Sequence, residues 1–183
     1  MNSYVRVCAI VLFSLALLIG GESRASGQDR SVGLMVAAPT LIGIDLPLSD
    51  RLAVRPGISF SRSSSDFATV SGTRTDSTTS FSFSVSLPIT VKQMERTRMY
   101  IAPLFAAQGF TASSSDGRLA GTSSTLWSGG GAVGFQGDIA TRLTLFGEAG
   151  FTWGSRSSSS DPDDFNNTTS QTVAKVGVIF RFK

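Results

Sequence analysis

Residues 80–91 read SFSFSVSLPITV, and this stretch decides the fold class. Its apolar side chains all share one parity, whereas serines dominate the other; the apolar set is Phe81, Phe83, Val85, Leu87, Ile89 and Val91. Successive side chains of a β-strand point to opposite faces, so a period of two places these sets on opposite sides. The stretch therefore predicts a strand with one apolar face and one polar face.

The same alternation recurs along the chain. It is clear in residues 51–62, 126–137, 142–154 and 171–182. It is weaker in residues 99–111, where Tyr100 and Phe110 share their parity with Gln108 while Ile101 and Phe105 have the other. Near the amino end, residues 31–36 and 41–48 are either two short strands or one strand broken at Pro39, whose missing amide interrupts a ladder. These segments predict an all-β fold of seven or eight antiparallel strands.

Long and short connections alternate between these strands. The short ones are 49–50, 92–97 and 137–141, and the long ones, about 63–77, 112–124 and 155–170, each contain a serine tract. Alternate connections of an up-and-down sheet lie at opposite ends, so all three tracts are predicted at one end as long, hydrated, Ser-rich loops. Serine and aspartate in such loops favour turns over strand pairing.

Charged residues lie on the polar parity of the strands. Asp45 is predicted opposite Arg55 across one hairpin, and Glu148 close to Lys175 across another; Arg181 belongs to the same face. These residues are either surface salt bridges of a soluble sheet or charge pairs that fill the lumen of a membrane barrel.

The large aromatic residues of the predicted strands cluster near the strand ends. One group lies beside the serine tracts and comprises Phe60, Phe81, Phe110, Trp127 and Trp153; the other lies toward the short connections and comprises Tyr100, Phe135, Phe180 and Phe182. Two belts about ten residues apart match the aromatic girdles and strand lengths of lipid-crossing barrels. This spacing favours an apolar face that contacts lipid.

The amino end has the order of a secretory signal peptide. A short basic start precedes the apolar run of residues 7–19, and small residues follow, so we expect cleavage after Ala25 or one or two residues later. The rest of the chain, residues 26–183, is then a single domain. The chain has one cysteine, Cys8, which lies within that segment, and no histidine. Disulfides are thereby excluded from the mature chain, and its serines have no histidine base. We predict no catalytic, cofactor or metal site, and the net charge of +3 does not indicate nucleic-acid binding.

Two segments carry a resemblance to a known family. The stretch LIGIDLPLSDRLAVRPGISFSRS, residues 41–63, and the terminal VGVIFRFK, residues 176–183, resemble strands of small bacterial outer-membrane β-barrel proteins, the eight-stranded kind sometimes called porin-like. Lys183 departs from that pattern, since the usual last residue is aromatic. The resemblance implies a closed eight-stranded transmembrane barrel with short periplasmic turns and with residues 37–40 as a tight external connection. It also implies an outer-membrane location in a Gram-negative bacterium, contact with outer-membrane lipid and lipopolysaccharide, and recognition of the last strand by the barrel-assembly machinery.

A barrel of eight strands has a lumen that side chains can fill. The sequence therefore predicts a structural or surface-interaction protein with a charge-paired lumen, not an enzyme, and names no ligand for its long loops. One alternative is a narrow porin-like channel. Another is a soluble secreted barrel of lipocalin type that binds a small apolar ligand inside.

Overall fold

The computed structural model describes residues 31–69, 72–115, 122–158 and 167–182. The predicted signal peptide, residues 1–25, lies outside these ranges. Within them no helix is long and apolar enough to cross a membrane. The strands are β1 (Gly33–Ala38), β2 (Leu41–Pro47), β3 (Ala53–Thr69), β4 (Gly72–Ser86), β5 (Ile89–Gln93), β6 (Thr97–Ser114), β7 (Thr122–Ala140), β8 (Leu143–Ser158) and β9 (Asn167–Arg181).

These strands form one closed antiparallel barrel. Each pairs with its neighbour in the order β4-β3-β2-β1-β9-β8-β7-β6-β5, and a further pairing of β4 with β6 closes the sheet. Strands β4 and β5 both pair with β6, and the amide of Leu87 between them donates to the carbonyl of Pro103 at 3.0 Å. The two are therefore halves of one barrel strand, and nine segments make eight barrel strands, as predicted.

The connections lie at two ends of the barrel. At the short-turn end, β2 joins β3 through residues 48–52, β5 joins β6 through 94–96, and β7 joins β8 through 141–142. The three long hairpins lie at the opposite end, together with the turn at residues 39–40 between β1 and β2. The predicted alternation and the tight connection near Pro39 are confirmed.

The serine tracts are not the loops that the sequence predicted. Ser64 of β3 pairs with Ser77 of β4, which also pairs with Ser113 of β6, so the ladders continue through the tracts. Serine hydroxyls support this pairing across the strands, as in the hydrogen bonds Ser61–Ser80 at 2.7 Å and Ser77–Ser113 at 2.8 Å. Serine weakly favours turns, but hydrogen bonding to a neighbouring strand outweighs that preference.

The barrel wall is uneven in height because β1 and β2 are short. Strand β2 pairs with β3 only up to Ser59, and β1 pairs with β9 only down to Val176. Beyond these points, within the described ranges, residues 60–69 of β3 and 167–175 of β9 pair on one side only. We call the part that extends past the β1–β2 hairpin the protruding sheet; it comprises residues 60–69, 72–81, 109–114, 122–127, 153–158 and 167–173.

Candidate functional site in the barrel lumen

The barrel is polar inside and apolar outside. Asp45, Arg55 and Glu148 point into the lumen and are only 1%, 2% and 6% exposed. By contrast, Val133 and Val176 point outward and are 63% and 61% exposed. An apolar cluster of buried side chains lies beside these charged residues in the lumen; it consists of Met35, Ala37, Leu41, Phe146 and Ile179.

Arg55 is the centre of a hydrogen-bond network that crosses the lumen. Its Nε donates to Asp45 Oδ1 at 2.7 Å, and its two terminal nitrogens donate to Glu148 Oε1 at 3.1 Å, to the Tyr100 hydroxyl at 3.1 Å and to Gln136 Oε1 at 2.5 Å. These partners come from β2, β6, β7 and β8, so five strands meet at one guanidinium. All five N–H bonds of a guanidinium lie in a fixed plane, so one arginine can donate hydrogen bonds to several acceptors at once.

Two further cations lie at the edge of this network. Arg181 approaches Asp45 Oδ2 at 3.2 Å, and Lys175 approaches Glu148 Oε2 at 3.8 Å. All five charged residues that the sequence placed on the polar face therefore belong to one network. The sequence pairing treated them as two separate pairs, and the link between the pairs is the contact of Arg55 with Glu148.

Tyr100 is not part of an outer aromatic belt, so that prediction is wrong. Its side chain is 2% exposed and lies in the lumen, where its hydroxyl donates to Glu148 Oε1 at 3.0 Å. The ring lies against Gly134 of β7, where an added Cβ would be only 2.4 Å from Cζ of Tyr100. Strand β6 has apolar residues on both faces, so its sequence alone left the orientation undecided.

Phe110 is also misplaced by the sequence prediction. It lies on the same face of β6 as Tyr100 and is half-buried, with the guanidinium carbon of Arg156 at 4.7 Å from its ring centroid. Outward positions of β6 are instead occupied by Ile101 and Phe105, which are 44% and 40% exposed. Gln108 shares the parity of Tyr100 and Phe110 and was a polar signal for this face, but a single polar residue did not decide the orientation of the strand.

The other predicted aromatic residues all point outward. Phe60 and Phe81 are cross-strand partners at the base of the protruding sheet. Exposed fractions range from 46% to 60% for the whole set, which comprises Phe60, Phe81, Trp127, Phe135, Trp153, Phe180 and Phe182. Their arrangement as lipid girdles stays a prediction.

Sequence reasoning did not assign a role to Gln136 or Phe146. Gln136 accepts the shortest of the Arg55 hydrogen bonds, and the Phe146 ring lies 5.3 Å from the Arg55 guanidinium carbon. Gln136 was on the polar parity of β7, which was the available signal. For Phe146 the parity of β8 was also available, since it matches that of Glu148.

A cavity of about 320 Å³ opens below this network at the short-turn end. Arg55, Tyr100 and Gln136 contribute to its lining, together with side chains from the mouth of the barrel. Within the described ranges, no group of three His, Cys, Asp or Glu residues is arranged to hold a metal ion. The arrangement offers a closed, ion-paired lumen and an open vestibule beneath it.

Comparison with known proteins gives the fold. No protein-family model matches the chain, and a search of curated proteins found no match. Among solved structures, a major outer membrane protein from Thermus thermophilus aligns with a TM-score of 0.52 and 14% identity, over 83% of this chain and 99% of that one. CarO of Acinetobacter baumannii aligns with a TM-score of 0.44 and 13% identity, over 84% of this chain and 97% of that one. Ail of Yersinia pestis, in complex with the heparin analogue sucrose octasulfate, aligns with a TM-score of 0.47 and 14% identity, over 83% of this chain and 95% of that one.

The Thermus alignment shows that this chain has the fold of an outer-membrane barrel protein. The predicted resemblance to small outer-membrane β-barrels is thereby confirmed at the level of the fold.

Proposed function

We propose that this chain is an integral outer-membrane β-barrel protein of structural or surface-interaction type, with a lumen that is closed by ion pairs and with no catalytic role. The observation that carries the proposal is that polar side chains lie inside and apolar side chains outside, the reverse of the distribution in a water-soluble protein. Burying Asp45, Arg55 and Glu148 while exposing Val133 and Val176 is costly in water but favourable in lipid.

The outer surface supports contact with a bilayer. Outward positions of the barrel strands are apolar in the zone between the two groups of aromatic side chains, for example Ile58, Val85 and Val178. Closure supports the same proposal, because an open sheet edge in hydrocarbon leaves backbone groups unpaired. Outer-membrane lipid and lipopolysaccharide are then the immediate partners, and the barrel-assembly machinery would recognise the last strand.

The alternatives fit the lumen less well. A soluble barrel that binds an apolar ligand needs an apolar interior, whereas here the centre of the lumen is occupied by Arg55 and its acceptors. A porin-like channel needs a continuous aqueous path, and the same side chains cross the lumen from five strands. The network therefore favours a plug over a binding pocket or a pore.

The surface-interaction part of the proposal rests on the protruding sheet. Its faces are rich in serine, threonine and charged side chains, such as the pair Arg74–Asp76 and the hydrogen bond from Thr75 to Asp66 at 2.7 Å. Two of its strands, β3 and β9, offer backbone edges there that no described strand covers. The part of this ordered sheet beyond the aromatic residues at its base is polar, and it suits contact with molecules outside the cell.

Two experiments test this function. The native protein should fractionate with outer membranes, resist extraction by carbonate, and migrate differently on a denaturing gel before and after boiling. Recovery in the soluble periplasmic fraction without detergent would defeat the membrane assignment. In planar bilayers the protein should give no steady conductance, and a large steady conductance would show that the lumen is not plugged.

A further inference from the structure

We propose that the vestibule at the short-turn end binds a small polyanion that carries carboxylate or phosphate groups. The vestibule is the cavity of about 320 Å³ below the Arg55 network. Five arginines and three aspartates line it. Its size is at the lower end of the range of small-molecule sites.

Strand parity explains why the arginines converge. Arg98 lies two residues before the inward-facing Tyr100 on β6, and Arg142 lies two residues before the buried Thr144 on β8. Arg51 precedes β3 with the parity of Arg55, and Arg181 has the inward parity of Ile179 on β9. The mouth is therefore surrounded by cations at the short-turn ends of four barrel strands. Arg98 and Arg181 lie in β6 and β9, and Arg51 and Arg142 lie in the turns that precede β3 and β8.

Three of the five arginines have no ion-pair partner in the part of the chain that the structure describes. Arg55 and Arg181 are engaged by Asp45, but within the described ranges no ion pair engages Arg51, Arg98 or Arg142. Asp138, the aspartate of the lining on β7, accepts a hydrogen bond from Thr144 at 2.6 Å. The third aspartate, Asp50, lies exposed in the β2–β3 turn.

Two of the arginines are direct neighbours across the sheet. The backbone amide of Arg181 donates to the carbonyl of Arg142 at 2.9 Å, so Arg181 of β9 lies opposite the residue that immediately precedes β8. Like charges at opposed positions destabilise a sheet. A bound anion between them removes that repulsion, and guanidinium groups bind carboxylate and phosphate oxygens in pairs.

The shape of the site limits the ligand. The Arg55 network closes the cavity above, so the ligand must enter and leave through the short-turn mouth. The five arginines of the lining outnumber its three aspartates. An excess of one sign of charge in a cleft with low-dielectric walls concentrates counter-ions of the opposite sign. The vestibule therefore suits a small, multiply charged anion, and its location on the periplasmic side rests on the proposed function.

Calorimetric titration of the folded protein in neutral detergent at low ionic strength tests the proposal, with citrate and inorganic pyrophosphate as probes. We expect saturable binding of at least one probe, and about a tenfold loss of affinity in each of the variants Arg98→Gln and Arg142→Gln, since each removes a charge-assisted hydrogen bond. Arg62→Gln is the matched control, because Arg62 is exposed on the outer face of β3. Its affinity should equal that of the unmodified protein.

Side-chain NMR spectra place the ligand. The Nε–H signals of Arg98, Arg142 and Arg181 should shift on titration, whereas that of Arg62 should not. The proposal is overturned by absence of saturable binding for both probes, or by equal affinities of Arg62→Gln and Arg98→Gln. The titration uses folded protein from whichever cell fraction contains it, so its failure is distinguishable from failure of the membrane assignment.

Discussion

Replacing Arg55 with methionine tests whether the ion-paired network stabilises the barrel. The substitution keeps most of the side-chain length but leaves Asp45 and Glu148 without their closest cation, and both are almost fully buried. Removing one partner of a buried ion pair costs about 3–5 kcal/mol. Arg181 and Lys175 remain near the two carboxylates, at 3.2 and 3.8 Å, so we expect the lower end, about 3 kcal/mol.

The assay is unfolding in urea from lipid vesicles. Trp127 and Trp153 lie on the outer face and are 53% and 60% exposed, so their fluorescence should report loss of the lipid-facing surface. The matched control is Arg62→Met on the exposed face of β3, which should change the free energy of unfolding by less than about 0.5 kcal/mol.

A double-mutant cycle separates the ion pair from the loss of packing. Combining Arg55→Met with Glu148→Gln removes both charges, so the combined destabilisation should be smaller than the sum by about 1 kcal/mol or more. The reasoning is refuted if Arg55→Met is as stable as the control. Additive effects of the two substitutions would also refute it, because they would show that the contact of Arg55 with Glu148 contributes nothing.

Three other predictions concern the wall of the barrel. Gly134→Ala should destabilise the protein by about 1–3 kcal/mol, because the added Cβ would overpack the Tyr100 ring. Gly129→Ala should be neutral, since its added Cβ would meet the nearest atom at 3.9 Å; the urea midpoints of the two variants compare these effects. Val133→Arg should destabilise the protein in vesicles by about 2–4 kcal/mol, whereas Thr125→Arg, on the same face of β7 but in the protruding sheet, should cost about 0–1 kcal/mol; equal costs would argue against a bilayer. Replacing residues 62–79 with Asn-Gly should leave heat-dependent gel migration intact, because Ser61 and Ser80 are already paired across the shortened hairpin, and loss of the folded band would contradict this.

Much of the fold was predictable from local patterns. In residues 51–62, 80–91 and 126–137 one parity is apolar and the other polar or small. Each strand therefore has only one orientation that places its apolar face outward and its polar face in the lumen. The sequence also indicated which face of the barrel is the inner one, because Asp45 and Arg55 share the face that serine and glycine occupy. These are short-range properties, and each strand carries them independently of its neighbours.

The errors arose where a strand carried no such preference. Strand β6 is apolar on both faces, so Tyr100 and Phe110 could be assigned only from their neighbours, which are Glu148 and Arg156 on β8. The serine tracts are likewise compatible with either a loop or a paired strand. Their pairing from Ser63 to Ser65 depends on residues of β4 that lie more than ten positions away.

The sequence by itself determined the alternation of faces, the order of long and short connections and the chemical types on the inner surface, because a period of two is a local property of the chain. Only the tertiary structure decided how those inner residues combine. Closure of the sheet brings β2, β3, β6, β7 and β8 around one lumen, so that Arg55 reaches acceptors up to 93 positions away in the chain. It also brings the arginines of four strands to a single mouth, because the curvature of a closed barrel makes separate inward faces converge.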